Sequence, residues 1–245
     1  MLSIKKEIHI ASLLLAGILF NSNSLYSQSN ANTSLYEWFD NANGKENLAI
    51  YNGTLHVNLF RTLDKTNHMY YSKDEFVKGD VAYDGQFYYG VDLKYDIYKD
   101  ELIVKPQNET YKSITLIKQK TDSFFFYGKS FVNLSKKPNI PDFIKGYYEV
   151  SLDGNRFTFY IKYHKNVSEK IVNDANYSNF KEDDTFILYY KNAYSEISSR
   201  KDLLAIFPEY KNKIKAFYSD NYSMDKANHT TFMENIMKYI NNLPQ

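Results

Sequence analysis

From Leu35 to Tyr194 apolar and polar positions alternate over short runs, and turn dipeptides such as Asn52-Gly53, Asp84-Gly85 and Asp153-Gly154-Asn155 separate them. Side chains along a strand point alternately to its two faces, so this pattern predicts half-buried strands joined as hairpins. Val91, Leu93, Tyr95 and Ile97 alternate with Asp92, Lys94 and Asp96, and Leu102-Ile103-Val104 returns beside them after a turn around Lys99-Asp100. Tyr148, Val150 and Leu152 share one face, as do Phe157, Phe159 and Ile161 across the glycine turn. A two-residue Gly154-Asn155 loop would pair Asp153 with Arg156, Leu152 with Phe157, Val150 with Phe159 and Tyr148 with Ile161, setting apolar against apolar and charge against opposite charge. Ser113–Lys118, Ser123–Tyr127 and Thr185–Tyr190 add strands, whereas 166–184 is polar throughout and reads as a long loop.

The period changes after Tyr194. Ser199 followed by Asp202 matches a capping box, with Leu203, Leu204 and Phe207 as the apolar stripe of a short helix. Pro208 suits the first turn of a second helix that carries Tyr210, Ile214 and Phe217 on one face and Lys211, Lys213 and Lys215 largely off it. Phe232, Ile236, Tyr239 and Ile240, widened by Met233 and Met237, predict a third helix ending near Asn241. The fold class that follows is α+β: a mostly antiparallel sheet or sandwich of hairpins, then about three C-terminal helices, over roughly 198–242, packed on it.

The first residues read differently. Lys5 and Lys6 precede an apolar run from Ile10 to Phe20, and polar residues follow at Asn21 to Ser24. A membrane-spanning helix needs about 20 apolar residues, and this run is little more than half that, so 1–27 reads as a secretion signal cleaved between Ser27 and Gln28. Residues 28–34 then form a polar leader, and 35–245 a single β-rich domain with its helical tail. The mature chain so defined has no integral membrane segment. It would lie in the periplasm, at the outer membrane or outside the cell.

Composition narrows the chemistry. The chain has no cysteine, so an exported form holds its fold without disulfides, lipid-modified cysteine or thiolate-bound metal. Thirty basic residues against 29 acidic ones give a net charge of +1, which supplies no field to gather nucleic acid. Twenty-four tyrosines and 17 phenylalanines against one tryptophan favour strands. Tyr70-Tyr71, Tyr88-Tyr89, Tyr147-Tyr148 and Tyr189-Tyr190 place a ring on each face of a strand, and an exposed row of such rings would suit an envelope protein, peptide or glycan.

Catalytic motifs are missing from the sequence: there is no GxSxG, P-loop, dinucleotide fingerprint or HExxH. His56, His68, His164 and His229 have no ligand-spaced partner, and Asp40, Asn43 and Gly44 fail the calcium-loop pattern, so neither metal nor cofactor is expected. Asp96, Asp100 and Glu101 are the candidate catalytic carboxylates, because glycoside hydrolysis needs a pair. Their place around a turn points instead to a structural role, since aspartate accepts backbone N–H bonds in turns. Glu182-Asp183-Asp184 reads as a solvated acidic run.

Tyr51-Asn52-Gly53, Tyr83-Asp84-Gly85-Gln86-Phe87-Tyr88, the run from Leu93 to Leu102, Gly146-Tyr147-Tyr148-Glu149-Val150 and the run from Lys201 to Pro208 together resemble a group of uncharacterised exported proteins of Gram-negative bacteria. That group shares the order of signal, Tyr-rich β region and Lys-rich helical tail. The resemblance implies a compartment and no activity. The reading that emerges is an exported, non-enzymatic binding or structural module of the periplasm or envelope. The alternatives are a carboxylate-dependent hydrolase of an envelope glycan or peptide, and an outer-membrane β-barrel, against which stand the helical tail and a mean hydropathy of −0.54. N-terminal sequencing of the protein recovered from its cells is expected to begin at Gln28. A chain still starting at Met1 would remove the compartment assignment.

Overall fold

A computed structural model describes residues 48–106 and 112–244. The expected signal, the Ser27–Gln28 cleavage site, the leader and the Asp40–Gly44 segment lie outside the described residues. Thirteen strands are found among those described: β1 (Thr54–Leu55), β2 (Val77–Tyr83), β3 (Gln86–Asp96), β4 (Glu101–Lys105), β5 (Ile114–Thr115), β6 (Thr121–Phe126), β7 (Lys129–Asn133), β8 (Tyr147–Asp153), β9 (Phe157–Lys162), β10 (Lys165–Val172), β11 (Ala175–Glu182), β12 (Thr185–Tyr190) and β13 (Ala193–Glu196). Helices α1 (Arg200–Ile206), α2 (Lys211–Asp220), α3 (Tyr222–Ala227) and α4 (His229–Asn241) follow. Eleven strands form one antiparallel sheet in the order β1-β5-β4-β3-β2-β6-β7-β8-β9-β12-β13, and β10 pairs with β11 as a separate ribbon. The α+β expectation holds. The short α3, between the second and third expected helices, is an addition to it.

Turn chemistry explains why neighbours in sequence become neighbours in the sheet. Asp84-Gly85, Tyr127-Gly128, Asn173-Asp174 and Lys191-Asn192 each form a two-residue loop with both φ values positive. Such turns carry the twist that flanking strands require. In β3 the core residues step from Tyr88 to Val91 instead of keeping a period of two, and the register with β2 shifts between Gly79 and Val81. Gly90 lies at that break with φ +60°, and its N–H donates to Asp80 Oδ1 at 2.9 Å, so the extra residue is absorbed as a bulge. The β3–β4 hairpin forms as expected, with Asp96 opposite Glu101 and Tyr95 opposite Leu102.

Two expectations are corrected. In the β8–β9 hairpin Asp153 pairs with Thr158, Leu152 with Phe159, Val150 with Tyr160 and Glu149 with Ile161, which is not the expected Gly154-Asn155 register. The loop is longer, closed by Gly154 N–H to Phe157 C=O at 3.0 Å, and the register shifts between Val150 and Leu152. Arg156 is withdrawn from the ladder because its Nη1 donates to Tyr210 Oη at 2.8 Å and to Ile240 C=O at 3.4 Å. The bulge lets Leu152 turn to the main core while Val150 stays on the opposite face. The second correction is 166–184, which is a hairpin and not a long loop. Val167 opposes Phe180 there, Val172 opposes Ala175, and the Asn173-Asp174 turn closes the ribbon.

One face of the large sheet packs against the helices in a single apolar cluster. Leu93, Tyr95, Phe124, Phe131, Phe159, Ile161 and Leu188 from the strands meet Leu203, Phe207, Ile214, Phe232, Met233, Ile236, Met237 and Ile240 from the tail. The tail presents these residues because its ends are fixed. Ser199 accepts the Asp202 N–H while Asp202 takes the Ser199 N–H, and Asn228 caps α4 by accepting from Thr231 N–H at 2.8 Å. Smaller clusters cover parts of the other face: Leu134, Ile144, Tyr148, Tyr160 and Ile187 in one, and Met69, Tyr70, Ile103 and Phe180 in another. None of the eight rings of the tyrosine pairs is exposed, so they form no exposed row for a partner.

Eight large side chains of the tail are buried in that cluster, at about 1.5 to 3 kcal/mol each, against a typical total stability of about 5 to 15 kcal/mol. A chain ended after Ser198, which keeps β13 whole, is therefore expected to lose its cooperative thermal transition. A truncated protein melting at the parent temperature would show that the tail is a separate module.

Candidate polar cleft beside helix α4

The main core is interrupted by a carboxylate. Glu149 follows Tyr147 on the core face of β8 and is only 5% exposed. A buried charge needs a paired and hydrogen-bonded partner. Lys129, the first residue of β7, provides one: its Nζ donates to both Glu149 oxygens at 2.9 Å, and Tyr163, just after β9, donates its hydroxyl to Glu149 Oε2 at 2.6 Å. Glu234, in the second turn of α4, accepts from the same ammonium at 3.0 Å. Burial pulls the Lys129 pKa down, but the bonds to Glu149 and Glu234 outweigh it and the net shift is upward. Burial, then the neighbouring Tyr71 and Glu149, pushes the Tyr163 hydroxyl far above its ordinary value, so it keeps its proton.

A cleft of about 400 Å³ opens beside this group, walled by Tyr71, Tyr163, Lys129 and Glu234 and by Glu182, Asp184 and Thr230 near the start of α4. Asp184 corrects the expectation of a solvated acidic run. Its Oδ2 accepts from Thr230 Oγ1 at 2.8 Å and its Oδ1 from His164 N–H at 3.2 Å, and burial raises its pKa against those two bonds. Glu149 and Glu234 lie 2.9 and 3.0 Å from one nitrogen, so their bound oxygens are within about 6 Å of each other, close to the roughly 5 to 5.5 Å carboxyl separation of retaining glycosidases. Lys129 and Tyr163 direct three hydrogen bonds at Glu149, so both of its oxygens are engaged within the structure.

The three carboxylates singled out from sequence go elsewhere. Asp96 is fully buried, and its Oδ1 accepts from the N–H groups of Tyr98 and Lys99, both at 3.0 Å, which caps the β3–β4 turn. Asp100, with φ +59°, points away from that turn. It accepts from Lys162 Nζ at 2.6 Å, Tyr95 Oη at 2.6 Å and Lys118 Nζ at 2.9 Å, and so ties the hairpin to β9 and to the helical turn before β6. Gly146 opposes it, and a Cβ there would run into the carboxylate. Glu101 pairs across the ladder with Asp96 and forms no part of the cleft.

The histidines are scattered. His56 bonds Tyr70 Oη, His164 bonds Ile97 C=O and His229 bonds Asp225, and no metal-holding group of three or more His, Asp or Glu occurs among the described residues. Sequence reasoning passed over Lys129, Glu149, Tyr163 and Glu234. The available signal was Glu149 itself, a charge inside the apolar run Tyr147 to Val150. Comparison of the chain with protein-family models, curated proteins and solved structures finds no match.

Asp96 gives a pH test with a definite sign. Burial raises its carboxyl from 3.8 to about 6 against the two turn bonds, and its Oδ2 has no hydrogen-bond partner among the described residues. The folded chain thus holds this proton more tightly than the unfolded one. That contribution, on the order of 3 kcal/mol, is present below about pH 4 and is lost as pH rises through about 6. Asp96→Asn keeps the turn-capping oxygen and removes the charge. It should melt about 5 to 10 °C above the parent at pH 7, with the gap closing by pH 4. A gap that stays constant from pH 4 to pH 7 would exclude this role for the Asp96 charge.

Proposed function

We propose that this chain is an exported, non-enzymatic binding or structural module of the periplasm or envelope. Export rests on the charged start and short apolar run of residues 5–20. The observation that carries the non-enzymatic reading is the saturation of Glu149. It takes three hydrogen bonds from Lys129 and Tyr163 and is buried, so its oxygens are engaged within the structure and closed off from a substrate. A catalytic carboxyl must come within hydrogen-bond reach of its substrate, and Glu149 is not among the residues that line the cleft. The balanced net charge supports partners other than nucleic acid.

A second reading has one observation in its favour. Glu234 lines the cleft and Glu149 binds the same Lys129 ammonium behind it, so two carboxyls lie close together as a glycan hydrolase needs, although they are not the pair expected from sequence. The mature protein incubated with isolated envelope glycan and peptide fractions separates the two readings. Mass spectrometry is expected to show no product from the parent, from Glu149→Gln or from Glu234→Gln. Product from the parent that falls about 100-fold or more in either variant, with the melting temperature kept, would replace the binding reading with the hydrolase.

A further inference from the structure

A second opening lies on the other side of the sheet, where the segment 56–68 runs over the β10–β11 ribbon. It encloses about 550 Å³, within the range of small-molecule sites. Its floor is apolar. Phe60 stands edge-on to Phe180 with centroids 5.2 Å apart, and the buried Met69 lies beside them. The walls are pinned together: Asn67 takes the Phe180 N–H at 2.8 Å and returns its own amide to Phe180 C=O at 2.9 Å, while Ser178 N–H donates to Arg61 C=O at 2.7 Å. The cavity therefore exists before any ligand arrives, which limits the ordering cost of binding.

Its polar groups are mostly donors. Lys65 and Lys73 line it, both exposed; among the described residues Lys65 has no hydrogen-bond or ion-pair partner, and Lys73 has only a 3.6 Å surface contact to Glu75. Asp74 is the one carboxylate on the lining, and Lys94 Nζ, only 12% exposed, already binds it at 2.6 Å. His68 accepts the Tyr70 N–H on Nδ1 at 3.2 Å, so its Nε2 carries the proton, and burial followed by the charge of Lys165 holds its pKa below the ordinary value. Lys165, itself 8% exposed, sits behind the floor with its ammonium on the carbonyls of His68 and Tyr70.

An aromatic floor, a carboxylate already bound by Lys94 and two exposed lysines, of which only Lys73 has a carboxylate nearby, define a ligand by its chemistry. We propose that this cavity binds a small organic anion with a flat apolar body, its acid group held by Lys65 and Lys73 and its body laid on Phe60, Met69 and Phe180. The site is separate from the acidic cleft beside α4. It gives the binding reading a ligand class and does not depend on export or on the absence of turnover at that cleft.

The probe is 1-anilinonaphthalene-8-sulfonate, compared with its uncharged analogue N-phenyl-1-naphthylamine by fluorescence titration of the purified protein. The parent is expected to bind the sulfonate at one saturable site with an affinity that falls with salt. Lys65→Glu combined with Lys73→Glu should weaken it about tenfold or more, remove most of the salt dependence, and leave the neutral probe within about twofold. Both lysines are exposed, so the melting temperature should hold, while Leu59→Ser, at an exposed apolar position outside the cavity lining, should change neither affinity. The proposal is overturned if the sulfonate does not bind, if the double variant binds it as the parent does, or if both probes weaken equally. A hydrolase result at Glu149 would leave this outcome untouched, so the two readings fail separately.

Discussion

Burying one face of an eleven-stranded sheet without a covalent staple is the constraint from which the rest of the structure follows. The chain has no cysteine, and the sheet face from Leu93 to Leu188 is lined by aromatic and branched side chains that need cover. Helix α4 supplies much of it through Phe232, Met233, Ile236, Met237 and Ile240, all fully buried. A 13-residue helix is marginal by itself in water, so α4 depends on the sheet as much as the sheet on α4. That mutual dependence explains why the caps at Ser199 and Asn228 matter. They fix where each helix starts, and so which side chains meet the strands.

Two groups of charged side chains lie among these strands. Asp100, Lys162 and Lys118 meet beside Tyr95 and Tyr147, and Glu149, Lys129 and Glu234 meet beside Tyr163. Each group joins elements far apart in sequence and is satisfied only when the strands lie in one register. Slipping β8 by one residue would turn Glu149 to the opposite face and leave Lys129 without its bidentate partner. Replacing such a cluster by apolar residues is often neutral or stabilising, so its net contribution to stability is small beside that of the core. Its value lies in the cost it imposes on wrong pairings.

The sequence was most readable where one apolar face repeats without interruption. The stripe from Phe232 to Ile240, the Ser199–Asp202 box and the alternation from Val91 to Ile97 all led to the observed elements. The ribbon β10–β11 was unreadable because it has almost no apolar face: Val167 and Phe180 are packed, while Ile171 is 75% exposed and Asn173-Asp174 makes a left-handed turn without glycine. The β8–β9 register failed for a different reason. Arg156 is anchored on Tyr210 and Ile240, residues 54 and 84 positions away, which no local pairing rule can include. The same distance hid the cleft, since Lys129 and Glu234 are 105 residues apart.

The ribbon that sequence pattern missed also contributes a wall residue to both openings. Phe180 and Glu182, two residues apart on β11, line the cavity and the cleft respectively, and Ser72 lies on the wall of each. The two openings differ in sign. Glu182, Asp184 and Glu234 line the cleft with Lys129, whereas Lys65 and Lys73 line the cavity with a carboxylate already bound by Lys94. With a net charge of +1 the molecule has no long-range field to steer a partner, so selection must come from these local contrasts. A ribbon free of the requirement to cover the main core can carry polar residues on both faces, and that freedom allows one short hairpin to wall two sites of opposite charge.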